Sequence, residues 1–117
     1  MATFRVLAHK FYARALRSSQ PFGIIMADMD NLKEINDGHG HSAGDQAIID
    51  MAKNMEAVMR KSDVLARYGG DEFAILLPDT DLRGTLRLAE RLQSEATPVS
   101  GHSIKPLFSV GIAVYPN

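Results

Sequence analysis

The stretch Arg67-Tyr68-Gly69-Gly70-Asp71-Glu72-Phe73-Ala74-Ile75-Leu76-Leu77 decides the fold. Two glycines precede two acids, and an apolar run rich in strand formers follows. The pattern predicts a β-hairpin in which Val64 to Tyr68 runs up, Gly69-Gly70 turns and Phe73 to Leu77 runs back. Glycines at the tip allow positive φ and remove side chains, so another group can approach the backbone closely. Two carboxylates at such a tip are poorly placed for packing and well placed to hold a metal. The turn taken alone also suits acids that merely face water, because turns favour Gly and Asp anyway.

Working outward, the residues before the hairpin suggest how the tip is met. Phe22 to Ala27 is a short continuous apolar run, read as a strand buried on both faces. It ends in Asp28-Met29-Asp30, whose two aspartates share one face at period two. Carboxylates at the end of a buried strand require a cation or hydrogen-bonding partners. A helix start follows, with Asn31 as cap and Glu34 completing an approximate capping box. Asn36-Asp37-Gly38-His39-Gly40-His41-Ser42-Ala43-Gly44-Asp45 reads as a polar, glycine-punctuated loop of the kind that carries function. His39 and His41, two residues apart and with no cysteine in the chain, make a poor zinc site.

Helical periods account for most of the remainder. Phe4, Leu7, Ala8, Phe11 and Ala15 form one stripe within a helix over Thr3 to Ser19. Ala47, Ile48, Met51, Ala52, Met55, Val58 and Met59 form another, ending near Lys61, with methionines as core filler. After the turn Pro78-Asp79-Thr80-Asp81, a helix buries Leu82, Leu86, Ala89 and Leu92 and exposes Arg83, Arg87, Glu90 and Arg91. A loop over Thr97 to Gly101 and a last strand over Leu107 to Val114 complete the order α, β, α, β-hairpin, α, β. This is an α/β (α+β) sandwich with a mostly antiparallel sheet. No repeat, low-complexity tract or linker interrupts it.

Composition narrows the function. At 117 residues the chain is one domain with room for a real core. A net charge of −1 gives no basic excess for nucleic acid or anionic membrane. The absence of cysteine excludes disulfides and thiolate metal sites. No apolar run approaches the ~20 residues of a membrane span, and Met1 to Gln20 is too charged for a signal peptide, so a soluble cytoplasmic domain is expected.

Three motifs in order and spacing, Asp28 to Asp37, Gly40 to Asp45 and Arg67 to Phe73, resemble the GGDEF family of bacterial diguanylate cyclases. That family joins two GTP molecules into cyclic di-GMP plus pyrophosphate, and the likeness covers nearly the whole chain. It implies a palm-like fold related to nucleotidyl cyclases and polymerases. It implies a Mg²⁺ site (Mn²⁺ also suits) at Asp28, the Met29 carbonyl and Asp71, with Glu72 completing a catalytic acidic tip. Asn36 and Asp45 would hydrogen-bond guanine with His41 near the base, and Lys33 and the amides around Leu32, Gly69 and Gly70 would lie near the phosphates. The chemistry agrees: attack of a 3′-hydroxyl on an α-phosphate needs hard oxygen ligands, and a guanine edge suits an acid plus an amide. The two-fold product implies a homodimer.

Arg60-x-x-Asp63 falls where family members carry a product-inhibitory site, with Arg91 resembling its further arginine. An arginine can pair with phosphate and stack on guanine, while a basic residue at a helix C-terminus is also favoured by the macrodipole. The chain departs from the family at both ends. It lacks the usual Asp-x-Leu-Thr-Gly-Leu-x-Asn-Arg opening and the C-terminal helix and strand whose Lys and Arg contact GTP phosphates. A fragment of a longer signalling protein with sensory or regulatory domains is therefore expected, with an exposed apolar patch or sheet edge. The alternative function is a non-catalytic module that binds GTP or cyclic di-GMP.

Overall fold

The computed structural model describes residues 4–67, 69, 72–94, 101 and 107–116, without side-chain detail at 4, 5, 7 and 11. Its elements are α1 (Phe4–Ser18), β1 (Phe22–Met29), α2 (Leu32–His39), α3 (His41–Val58), β2 (Val64–Arg67), β3 (Glu72–Pro78), α4 (Leu82–Ser94) and β4 (Phe108–Tyr115). The four strands form one sheet in the order β2-β3-β1-β4, antiparallel throughout. β1 lies between β3 and β4, so the β3–α4–β4 connection straddles it as a split β-α-β unit.

Alternation along the strands sorts side chains between the two faces. Ile25, Ala27 and Met29 of β1 join Phe73, Ile75 and Leu77 of β3 in the main core, beneath Ala43, Ala47, Met51 and Met55 of α3 and Leu88, Ala89 and Leu92 of α4. Each large apolar side chain buried there contributes about 1.5–3 kcal/mol. The methionines of α3 are core filler, as their spacing predicts. On the opposite face α1 packs against β1 and β3, with Ala15 buried. The Tyr12 ring there lies 4.8 Å from that of Tyr115, which in turn meets Phe22. β3 is buried on both faces because helices cover each side of it.

Several sequence expectations are corrected. The strand read as Phe22 to Ala27 runs on to Met29, because pairing with both β3 and β4 continues through Asp28. The segment 36–45, read as a loop, is the end of α2 and the start of α3 joined at Gly40, so the described residues hold one more helix than expected. Its polar composition reflects exposure, and only Gly40, at φ 88°, leaves helical geometry. The helix read as ending near Lys61 stops at Val58.

α4 turns a different face inward. Leu82 and Leu86 are 58% and 46% exposed, while Thr85 is fully buried beside Leu88, Ala89 and Leu92. Two contacts set this rotation. The Asp81 carboxylate accepts the Gly84 N–H at 2.9 Å and caps the helix, and the Thr85 hydroxyl donates to the Asp81 carbonyl at 2.9 Å. Gly23 of β1 provides the space for Thr85, since a Cβ there would collide with the threonine hydroxyl. Gly23→Ala is therefore expected to destabilise the domain by about 1–3 kcal/mol, read as a lower urea midpoint with unchanged slope.

The expected exposed apolar patch lies beside β4. Leu82, Pro21, Ile112, Val114 and Pro116 line an open groove of about 700 Å³. No helix among the described residues is long and apolar enough to cross a membrane.

Candidate functional site

The acidic residues meet at one end of the sheet. The antiparallel register places Asp28 directly opposite Glu72 on one side and Ser109 on the other. Opposed residues in an antiparallel pair point to the same face with Cβ atoms about 4.5–5.5 Å apart. Asp28 is exposed and Glu72 half-buried. Glu72 folds over Gly69, where an added Cβ would lie 2.5 Å from Glu72 Oε2. Gly69 is further held by its carbonyl, which accepts from Arg67 Nε at 3.1 Å, and Arg67 itself lies over the Phe73 ring at 5.7 Å. Asp71 and Gly70 lie outside the described residues.

Asp30 has a different fate from Asp28. The Ser109 hydroxyl donates to its carboxylate at 2.8 Å, and its backbone N–H donates to the Leu107 carbonyl at 2.7 Å. The predicted cap at Asn31 is absent: its side chain makes no capping bond, and Oδ1 instead accepts the Leu107 N–H at 2.9 Å. A long-range backbone donor has replaced the local one, and it bolts the β1–α2 corner to the entry of β4.

Like charges facing across a strand pair are destabilising, and hard carboxylate oxygens are the donors that Mg²⁺ and Mn²⁺ favour. Asp28 and Glu72 meet both conditions. Met29 is buried in the core, so only its carbonyl could serve as a ligand. Among the described residues no three His, Cys, Asp or Glu side chains gather.

The residues assigned to guanine occupy the α2–α3 corner. The Asn36 carbonyl accepts the Gly40 N–H at 2.9 Å, closing α2. The Asn36 side chain lies against Gly44, where any Cβ would collide with Asn36 Oδ1. Asp45 follows Gly44, and both Asp45 and His41 are exposed near the start of α3. Lys33 is exposed on α2, one turn before Asn36 and thus on its face, while Leu32 is half-buried and anchors the helix to the core.

A second polar site lies at the other end of β3. Arg60, Asp63, Thr80, Arg87 and Arg91 line a cleft of about 240 Å³. The Asp63 side chain is only 1% exposed and accepts from Arg60 at Nη2 (2.9 Å), Nε (3.2 Å) and the backbone N–H (2.8 Å). Arg60, 53% exposed, also donates through Nη2 to the Pro78 carbonyl at 3.0 Å and to the Thr80 hydroxyl at 2.6 Å. The hydrogen bond to Asp63 holds the guanidinium pKa above its ordinary range, against the opposing effect of burial. Three guanidiniums thus face a cleft whose one carboxylate is already paired. Arg87 is the residue that sequence reading missed in this group. Its four-residue spacing from Arg91 was the available signal.

An antiparallel sheet with helices on both faces and acids at a hairpin end defines an α+β, palm-like domain. Residues 3–117 match the family model described as "Diguanylate cyclase, GGDEF domain", and the chain belongs to that family. It is 36% identical over 106 residues to the bifunctional diguanylate cyclase/cyclic di-GMP phosphodiesterase MucR of Pseudomonas aeruginosa, covering 88% of this chain and 16% of that protein. Against the diguanylate cyclase DgcM of Escherichia coli the identity is 39% over 99 residues, covering 85% and 24%. The chain therefore spans about a sixth to a quarter of these curated relatives. Among solved structures, the isolated GGDEF domain of TpbB (YfiN) from Pseudomonas aeruginosa superposes with a TM-score of 0.90 at 33% identity, covering 97% of this chain and 69% of that one. The active GGEEF domain of a Vibrio cholerae diguanylate cyclase superposes with a TM-score of 0.87 at 32% identity, covering 99% and 78%.

Proposed function

We propose that this domain condenses two GTP molecules into cyclic di-GMP with release of pyrophosphate, as one module of a larger cytoplasmic signalling protein. The observation that carries the reading is the Asp28–Glu72 pair, two carboxylates facing each other beside Gly69 at the open end of the sheet. A divalent cation, Mg²⁺ or Mn²⁺, held by Asp28, the Met29 carbonyl and Asp71 would offset phosphate charge and polarise the α-phosphate. Asn36 and Asp45 hold the guanine edge, with His41 beside the base. Lys33 and the amides near Leu32, Gly69 and Gly70 neutralise and orient the phosphates. Glu72, with Asp71, completes the acidic tip that would take the proton of the attacking 3′-hydroxyl. That oxygen bonds to the α-phosphorus of the facing nucleotide, whose pyrophosphate leaves, and the reciprocal step closes the ring. Each domain holds one GTP, so two copies must face each other.

The Arg60–Asp63 cleft is read as a product-inhibitory site, with Arg91 and Arg87 as further phosphate or guanine contacts. Its ready-made ion pair also supports the second reading, a module that binds cyclic di-GMP without turnover.

The test is incubation of the purified chain with GTP and Mg²⁺ at high protein concentration, with nucleotides resolved by chromatography and mass spectrometry. Cyclic di-GMP is expected, and should vanish in Asp71→Ala. Absence of product from the unaltered chain, with cyclic di-GMP still bound, would overturn autonomous catalysis in favour of the binding module.

A further inference from the structure

We infer that Thr80 is a positioning residue for the Arg60 cleft, orienting the guanidinium so that one edge remains presented to an anionic ligand. Thr80 is buried at the mouth of α4, and its hydroxyl does two things at once. It donates to the Pro78 carbonyl at 2.8 Å and accepts from Arg60 Nη2 at 2.6 Å. The first bond leaves the oxygen lone pairs facing the arginine. Together with Asp63 and the Pro78 carbonyl it saturates the Nε–Nη2 edge of Arg60. Nη1 takes part in none of these bonds among the described residues, which is the edge the cleft can use.

Orientation matters here because guanidinium recognition is planar and directional. Arg60 is half exposed and sits in the segment between α3 and β2, so without the Thr80 hydroxyl only Asp63 and the Pro78 carbonyl would restrain it. Thr80 adds the shortest of these restraints, and its own position has an anchor besides the hydroxyl. Its backbone N–H donates to the Pro21 carbonyl at 3.0 Å, at the entry to β1. Prior fixing of a binding group raises affinity by lowering the ordering cost at binding.

The inference rests on the cleft being the cyclic di-GMP site, and its test separates the two claims. Cyclic di-GMP is titrated by calorimetry into the unaltered chain, Thr80→Val and Thr80→Ser. Valine keeps the branched shape and the Pro21 bond but removes the hydroxyl, whereas serine restores it. Because a hydrogen bond to a charged group is at stake, the valine variant is expected to bind roughly tenfold more weakly and serine within about twofold of the original. Ligand-free ¹⁵N spectra provide a second reading: the Arg60 Nε–Hε signal should exchange slowly in the unaltered chain and the serine variant, and faster in valine. Unchanged affinity and unchanged exchange in Thr80→Val would overturn the role of Thr80 and leave the cleft standing. Serine as weak as valine would also overturn it, since a structural effect would then suffice. If the unaltered chain makes cyclic di-GMP yet binds none at this cleft, as judged by an unaffected Arg60→Ala variant, the product-site reading falls and this inference falls with it.

Discussion

Asp28→Asn is expected to lower cyclic di-GMP formation by on the order of 10²–10³-fold, the range typical of removing one charge-stabilising group from a reacting centre. The change preserves shape and removes one negative charge from the end of the sheet. In the register of β1 on β3, Asp28 opposes Glu72. Opposed like charges on a strand pair oppose folding by about 0.2–1 kcal/mol. The substitution should therefore leave stability unchanged or raise it slightly, while activity collapses. A functional site commonly shows this opposition of stability and activity, because its charges are arranged for a ligand rather than for the fold. Raising Mg²⁺ or Mn²⁺ should recover part of the rate, since a weakened cation site is refilled by mass action. Initial rates across a metal titration, alongside urea denaturation of both proteins, make the check. Near-normal turnover in Asp28→Asn would remove Asp28 from the catalytic site.

Gly44→Ala is expected to raise KM for GTP by about 10- to 100-fold, the cost of one misplaced hydrogen-bonding group in a recognition site. Helix propensity alone favours alanine within a helix by about 0.8–1 kcal/mol. Glycine at the fourth residue of α3 therefore needs a reason, and Asn36 supplies it. Its carboxamide occupies the space that a Cβ would need, with Gly44 itself buried between α2 and α3. The new methyl must push the Asn36 carboxamide off Gly44, and the pair proposed for the guanine edge, Asn36 and Asp45, is then disturbed. Selectivity for GTP over ATP should fall together with affinity. Steady-state kinetics with GTP, and competition by ATP, measure both. An unchanged KM would show that the Asn36 carboxamide is not used for guanine.

Much of this domain is legible in the residues themselves. Phe22 to Ala27 announces a buried strand through an unbroken apolar run, and Gly69-Gly70 before Phe73 announces a turn between paired strands. Both signals are local, so they survive without knowledge of the rest of the chain. The acids at the ends of these segments are visible for the same reason: polar residues terminating apolar runs stand out. The α3 core face is equally clear, because the spacing of Ala47, Met51 and Met55 admits one stripe.

The failures were equally physical. Residues 36–45 carry Asn, Asp and Ser, whose side chains compete with helical hydrogen bonds, and Gly, which loses the most backbone freedom in a helix. Helix packing overrode that local preference at all but Gly40. Asn31 found a backbone donor 76 residues away in preference to a cap on its own helix. In α4 two leucine-bearing stripes were available, and periodicity could not choose between them. The choice was made by the Asp81 cap and by the space above Gly23 that accepts Thr85. That rotation is also what sends Arg87 and Arg91 into one cleft with Arg60.

The sequence by itself therefore determined the order of strands and main helices, the family resemblance and the choice of residues proposed for the metal and the guanine edge. Periodicity and turn chemistry act between near neighbours in the chain. Only the tertiary structure decided that Asp28 faces Glu72, that Asn36 rests on Gly44, and that Thr80 and Arg60 meet. Those relations join residues far apart in the chain, and strand register, helix rotation and close packing set them.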